Sequence, residues 1–206
     1  MLKKMAKYLR ATKDWGIIYH WSQLDTSLPP SNFICSTIDA NLPDFPNVNP
    51  QEPVAFHDAL HANDLRNRCS TTGYAFLLCS GAISCWCKTQ SIGATSSTKA
   101  KFLAAVTTAK HACYVRAIMT DLGFPPKGPT TMFCNNQSAI NMINDCVPTE
   151  RSHHIDIQHF AIQDWKESEA IVMEFISGVI NPSYDLMKPL GWVLYNRHAR
   201  RIMGHC

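Results

Sequence analysis

Residues 73–88 run GYAFLLCSGAISCWCK. Gly73–Cys79 and Ala82–Lys88 are short apolar runs rich in aromatic and β-branched residues. They are predicted as two strands, with Ser80-Gly81 as a tight hairpin turn between them. A little further on, Ser96 or Ser97 can cap a helix that runs to about Leu122. Its apolar stripe is Phe102, Ala105, Val106, Ala109, Cys113 and Ile118, and Gly123 with Pro125-Pro126 stops it.

Working outward from the hairpin, Val54-Ala55-Phe56 starts a strand upstream. Downstream, Thr131–Cys134 is a short buried strand, Asn136–Ile143 and His154–Lys166 are helices, and Ile171–Ile176 is a strand. Pro182 opens a last helical stretch. Three antiparallel strands, helix, strand, two helices, strand and helix make an α/β domain with a mixed sheet.

The flanks differ in character. Residues 1–20 are predicted as an amphipathic helix running into a short extended piece. Leu2, Met5, Ala6 and Leu9 lie at helical spacing, with Lys3, Lys4, Lys7 and Arg10 on the other side. Pro29, Pro30, Pro43, Pro46 and Pro50 punctuate residues 21–52, which are expected to form a linker or surface loop, with a domain boundary at about Pro53. The end of the chain, 191–206, carries Arg197-His198-Ala199-Arg200-Arg201 and is expected to be a solvated basic tail.

Composition bounds the rest. With 46% hydrophobic and 17% charged residues, the 206-residue chain can build a core and is not wholly disordered. Its net charge of +3 permits a nucleic-acid partner without arguing for one. No run approaches the roughly 18 apolar residues of a membrane helix, and no apolar stretch follows the basic N-terminus. The 9 cysteines are irregularly spaced, and Cys85-Trp86-Cys87 is CxC rather than the CxxC of a zinc or redox motif. An intracellular protein with reduced thiols, cytoplasmic or nuclear, is expected, with no membrane partner.

Several words in the chain resemble those of one family, taken in order. Asp64–Tyr74 (DLRNRCSTTGY) is similar to "D…RRSTSGY" of the ribonuclease H domain of copia-type retrotransposon Pol polyproteins. Ile83–Ser91 resembles its "ISWSSKKQ" strand, Ser96-Ser97-Thr98 opens the helix that reads "SSTEAEY", and Cys134–Ile140 is similar to "CDNQSAI". Arg151–Ile157 resembles "RTKHIDI", Lys188-Pro189-Leu190 resembles "TKPL", and Tyr8–Gly16 resembles the "YLKGTKDYG" that follows the reverse-transcriptase thumb. The resemblance covers about residues 1–190. It implies a ribonuclease H-like fold, a five-stranded mixed sheet flanked by helices, over 53–190. Residues 1–20 would be a reverse-transcriptase thumb or connection remnant, and with no YVDD-like sequence present the chain is expected to be a C-terminal segment of such a polyprotein.

The implied activity is hydrolysis of the RNA strand of an RNA–DNA hybrid by two Mg²⁺ ions, which need oxygen ligands, preferably carboxylates. The family supplies four acids. Carried over one at a time, the first-strand acid is Asp58, but the helix Glu is Lys101, the "CDN" Asp is Asn135, and the last Asp falls on Tyr184. Asp185 is one residue out of place and is a possible substitute. Four acids would bring −4, whereas these four side chains sum to zero. At roughly 4 Å and an effective dielectric near 20, one ammonium repels a divalent ion by about 8 kcal/mol. The resemblance therefore implies a ribonuclease H-type endonuclease fold without its catalysis, with Asp58 the retained metal ligand and Mg²⁺ binding in doubt. A residual, Mn²⁺-dependent ribonuclease using Asp58 and Asp185 is one alternative. The other is a non-catalytic nucleic-acid-binding or structural module.

Partners implied are the parent reverse-transcriptase domain and an RNA–DNA hybrid, gripped through its backbone by Arg66, Arg68, Lys88 and Lys101. Three decoys are weaker. His57 and His61 imitate HExxH, but on a β-rich segment and without the Glu base. His154 and His159 would lie about 140° apart on a helix, which makes them poor co-ligands. Ser96-Ser97-Thr98 lacks a nucleophile elbow, and capping explains it.

Overall fold

A computed structural model of the chain describes residues 16–17, 45–144 and 153–204. The helix expected over 1–20, apart from Gly16 and Ile17, and most of the 21–52 segment lie outside the described residues.

Three strands open the domain: β1 (Val54–Leu60), β2 (Thr71–Leu78) and β3 (Gly81–Thr89). Helix α1 (Ser97–Asp121) and strand β4 (Thr130–Cys134) follow, then helices α2 (Gln137–Asn144) and α3 (His153–Glu167), and strand β5 (Ile171–Phe175). A 3₁₀ turn (Pro182–Leu186) and helix α4 (Trp192–Met203) complete it. The strands lie in the order β3-β2-β1-β4-β5. β1–β2 and β2–β3 are antiparallel, whereas β1–β4 and β4–β5 are parallel. This is the five-stranded mixed sheet flanked by helices that the sequence implies.

The hairpin turns on Cys79-Ser80 rather than Ser80-Gly81. Both residues have positive φ (51° and 66°), the combination that a two-residue turn needs to match strand twist. Ser96 caps α1, its hydroxyl accepting from the Lys99 amide at 3.1 Å. The buried stripe of α1 runs through Ala105, Ala109, Ala112 and Val115, while Ile118 is exposed. A 3.6-residue period carries the stripe off the predicted Cys113 and Ile118.

Side chains alternate across each strand, so β1 feeds two cores. Ala55, with Tyr74, Phe76 and Met132, packs under α1, α2 and α3. Phe56, with Val54, Leu77 and Phe133, packs on the other face, where Ile202 of α4 joins them. Phe45 packs its ring at a tilt against Phe56, with centroids 5.1 Å apart, and Val48 packs beside it, so residues 45–52 belong to the domain and not to a linker. The expected solvated tail is also corrected. Its residues form α4, which buries His198 and Ala199 against the domain and ends at Gly204 in the left-handed region.

Cys85 and Cys87 lie two apart on β3, hence on one face, and both are exposed. The six described cysteines are free. No described helix is long and apolar enough to cross a membrane.

One buried amide ties the 3₁₀ turn to β1. Asn181 donates to the His57 carbonyl oxygen at 3.1 Å and accepts from both the amide and the hydroxyl of Ser183. Asn181→Leu leaves that carbonyl and the Ser183 amide without their partners, and is expected to cost about 1–3 kcal/mol in urea unfolding. His57 is fully buried, and neither ring nitrogen has a hydrogen-bond partner among the described residues. Burial, helped by the Lys101 charge, lowers its pKa from 6.5 to about 3. The unfolded chain therefore binds the extra proton first, and stability falls as pH drops from about 6.5 toward 3. Between pH 7 and pH 5 the expected loss is about 2 kcal/mol, and urea melts of His57→Leu should lack that part of the slope.

Candidate functional site

Asp58 lies near the C-terminal end of the central strand and is fully buried. Its cross-strand partner on β2 is Gly73. A Cβ at Gly73 would come within 2.8 Å of Met187 and 3.3 Å of the Ser183 carbonyl oxygen. The absence of a side chain there lets the 3₁₀ turn settle onto the sheet beside Asp58.

Three other segments converge on the carboxylate. The Lys101 Nζ on α1 stands 3.0 Å from Asp58 Oδ1, and the same ammonium donates to Asn135 Oδ1 just beyond β4. Lys188 Nζ lies 3.8 Å from Asp58 Oδ2 and 3.8 Å above the centre of the Tyr184 ring. Gly178 closes the circle, since a Cβ there would be 3.0 Å from Asn135 Nδ2 and 3.3 Å from the Tyr184 hydroxyl. Asp58, Lys101, Asn135 and Tyr184, far apart in sequence, are thus brought into one cluster.

The charge count changes once Lys188 is included. Asp58 contributes −1, Lys101 and Lys188 contribute +1 each, and Asn135 and Tyr184 contribute nothing, so the cluster sums to +1. Mg²⁺ takes oxygen ligands at short range and favours carboxylates. Here one carboxylate remains, and an ammonium already bridges it to the neighbouring amide oxygen. The residues present do not fit a two-magnesium centre. Among the described residues, no three His, Cys, Asp or Glu side chains gather where they could hold a metal ion.

Asp185 is engaged elsewhere. Its Oδ1 lies 3.0 Å from His198 Nδ1, and His198 Nε2 lies 2.8 Å from the Val179 carbonyl oxygen. Burial pushes the Asp185 carboxyl up, against the opposing pull of His198. In the observed register Tyr184 faces the cluster, and Asp185 fastens the turn to α4.

The candidate nucleic-acid residues gather at the same end of the sheet as Asp58. The loop after β1 is held by Asp64, whose carbonyl accepts from the Arg68 amide at 2.8 Å and whose side chain accepts from the Arg66 amide at 2.9 Å. Arg66 and Arg68 are exposed on it. Lys88 is exposed on β3, opposite Thr72. Lys101 is the exception, because its ammonium is spent on Asp58 and Asn135.

The decoys resolve structurally. His57 lies on a strand, and the His61 ring bonds the Ala94 carbonyl at 3.0 Å. His159 stacks on Phe102 with ring centroids 4.1 Å apart. Sequence reasoning missed Lys188 and Asn181 as parts of the site. The lysine carried only a family word, and nothing local marks an asparagine whose partner is a distant backbone carbonyl.

Removing Lys101 tests the cluster as a structural unit. Lys101→Met leaves a buried carboxylate with only the more distant Lys188, at an expected cost of about 3 kcal/mol. Asp58→Asn in the same background should recover most of that, so that in a double-mutant unfolding cycle the double variant is less destabilised than the two single variants summed.

No family model matches the chain. It is 34% identical over 133 residues to the retrovirus-related Pol polyprotein from transposon TNT 1-94 of Nicotiana tabacum, a match covering 65% of this chain and 10% of that protein. It is 28% identical over 148 residues to the corresponding polyprotein of transposon RE2 of Arabidopsis thaliana, covering 72% of this chain and again 10% of the relative. The chain thus spans about a tenth of the length of the curated relatives it matches. Among solved structures, ribonuclease H1 of Halobacterium salinarum superposes with a TM-score of 0.47 at 12% identity, over 66% of this chain and 93% of that one. At that score the strand order and register described above, not the superposition, carry the fold. By sequence, the homologues of this chain are retrovirus-related Pol polyproteins from plant copia-type transposons.

Proposed function

We propose that this chain is a ribonuclease H-like domain that has lost its metal chemistry, with Lys101 standing where a metal-binding carboxylate is expected. The observation that carries this reading is the bridge of one ammonium between Asp58 and Asn135. An ammonium satisfies two oxygens, but it carries half the charge of Mg²⁺ and cannot bind and acidify a water molecule. The sequence resemblance supports the assignment of 53–190 to this domain and of 1–20 to a reverse-transcriptase remnant. The packing of 45–52 and α4 extends the domain on both sides.

Loss of cleavage does not entail loss of binding. Arg66, Arg68 and Lys88 leave positive charge at the Asp58 end of the sheet, and the missing carboxylates remove repulsion of phosphate. An RNA–DNA hybrid, held through its backbone and weakened by salt, is the partner this supports, in the cytoplasm or nucleus.

The deciding experiment is cleavage of a labelled RNA–DNA hybrid with Mg²⁺ and with Mn²⁺. The chain itself should be silent with either metal, and the Lys101→Glu/Asn135→Asp/Tyr184→Asp variant should cut with Mg²⁺. Cleavage by the unmodified chain that Asp58→Asn abolishes would overturn the reading and point to Asp185 as a replacement ligand.

A further inference from the structure

Cys85 and Cys87 are free thiols two residues apart on β3, exposed on the face of the strand opposite to Trp86. The strand rise sets their Cβ atoms about 6.7 Å apart, beyond the roughly 4.5 Å that a disulfide spans. The two sulfurs cannot bond to each other without leaving the strand, but a single atom can bridge them.

A third sulfur comes to the same place from just beyond the 3₁₀ turn. Cys87 lies directly across from Gly73 on β2, so the two Cβ directions share one face and stand about 5 Å apart. A Cβ at Gly73 would meet Met187 Cγ at 2.8 Å and Met187 Sδ at 3.0 Å. The thioether therefore fills the place of the missing Gly73 side chain, beside Cys87 and on its face of the sheet. Asp58 flanks Gly73 on the other side, but its oxygens are held by Lys101 and Lys188. The donors on offer are soft ones, two thiols and a thioether. A set completed by methionine is consistent with the lack of any three-membered His, Cys, Asp or Glu cluster among the described residues.

We propose that Cys85, Cys87 and Met187 form a three-sulfur site for a soft monovalent metal ion, copper(I). Thiolate and thioether ligands select copper(I), whereas zinc takes four ligands drawn from thiolate, imidazole and carboxylate. On binding, each thiol releases its proton to solvent and forms a Cu–S bond as thiolate, and the thioether donates a lone pair. The ion enters and stays as copper(I), so no electron is transferred. Two thiolates and one copper(I) sum to −1, next to an Asp58 cluster that sums to +1. The positive charge that opposes magnesium at Asp58 therefore favours the thiolate complex beside it.

Anaerobic competition for copper(I) between the full chain and a chromophoric chelator tests this. Both cysteines are exposed, so Cys85→Ser/Cys87→Ser should keep the Tm of the unmodified chain while losing one equivalent of tightly held copper. Met187→Leu should keep that equivalent about tenfold more weakly, and Cys69→Ser should bind as the unmodified chain does. X-ray absorption at the copper edge should count three sulfur neighbours, falling to two in Met187→Leu. Equal copper retention by Cys85→Ser/Cys87→Ser and the unmodified chain overturns the proposal. So does a Met187→Leu chain with unchanged affinity and sulfur count. Zinc that displaces copper(I) at equal concentration would overturn the choice of ion. Copper-dependent dimerisation that the double serine variant abolishes would place the ion between two copies and overturn the single-chain site.

Discussion

A carboxylate with no exposed surface has to meet its counter-charge inside the protein, and Asp58 meets it chiefly in Lys101. Desolvating a charge costs several kcal/mol unless a partner and hydrogen bonds offset it. That requirement reaches well beyond the pair. Asp58 is on the central strand, Lys101 on the long helix that covers one face, and Asn135 at the end of the neighbouring parallel strand. Satisfying one buried charge therefore fixes how β1, α1 and β4 meet.

The 3₁₀ turn is the second part of the same knot. Asn181 hooks it to the β1 backbone, Gly73 gives it room to approach, and Asp185 with His198 binds it to α4. The turn then delivers Tyr184 and Lys188 to the Asp58 cluster. A chain element with little apolar surface is thus positioned by hydrogen bonds, close packing and charge, whereas the helices on the other face are held by a core that includes Phe102, Ala105 and Ala109.

The two faces of the sheet have divided roles. At the C-terminal end of β1, two lysines meet one buried carboxylate and leave the cluster at +1, and the nearby Arg66, Arg68 and Lys88 are exposed and basic. At the β3 edge, on the side facing α1, Trp86 stacks on Tyr74 and the Gln90 amide donates to Thr72 and to the Ala100 carbonyl. Neither feature requires the other.

Much of this was legible in the chain. The apolar runs GYAFLLC and AISCWCK, the serine cap and the proline stops follow local rules, so the strands, the long helix and their order could be read directly. The resemblance also set Lys101, Asn135 and Tyr184 at positions where the family carries acids, and none of the three needs geometry to be recognised as a poor magnesium ligand. Local rules were less decisive at the edges. The Pro-rich run up to residue 52 resembles a linker until Phe45 is seen packed against Phe56, and 191–206 resembles a tail until His198 is found buried.

What only the tertiary structure decided is which groups share a space. That Lys188 doubles the positive charge on Asp58 and that Asp185 is spent on His198 depend on contacts between distant segments. Sequence specifies each side chain's chemistry and the period of its element. Burial and pairing arise from packing the elements together, where the cost of an uncompensated charge or an unmade hydrogen bond selects the arrangement.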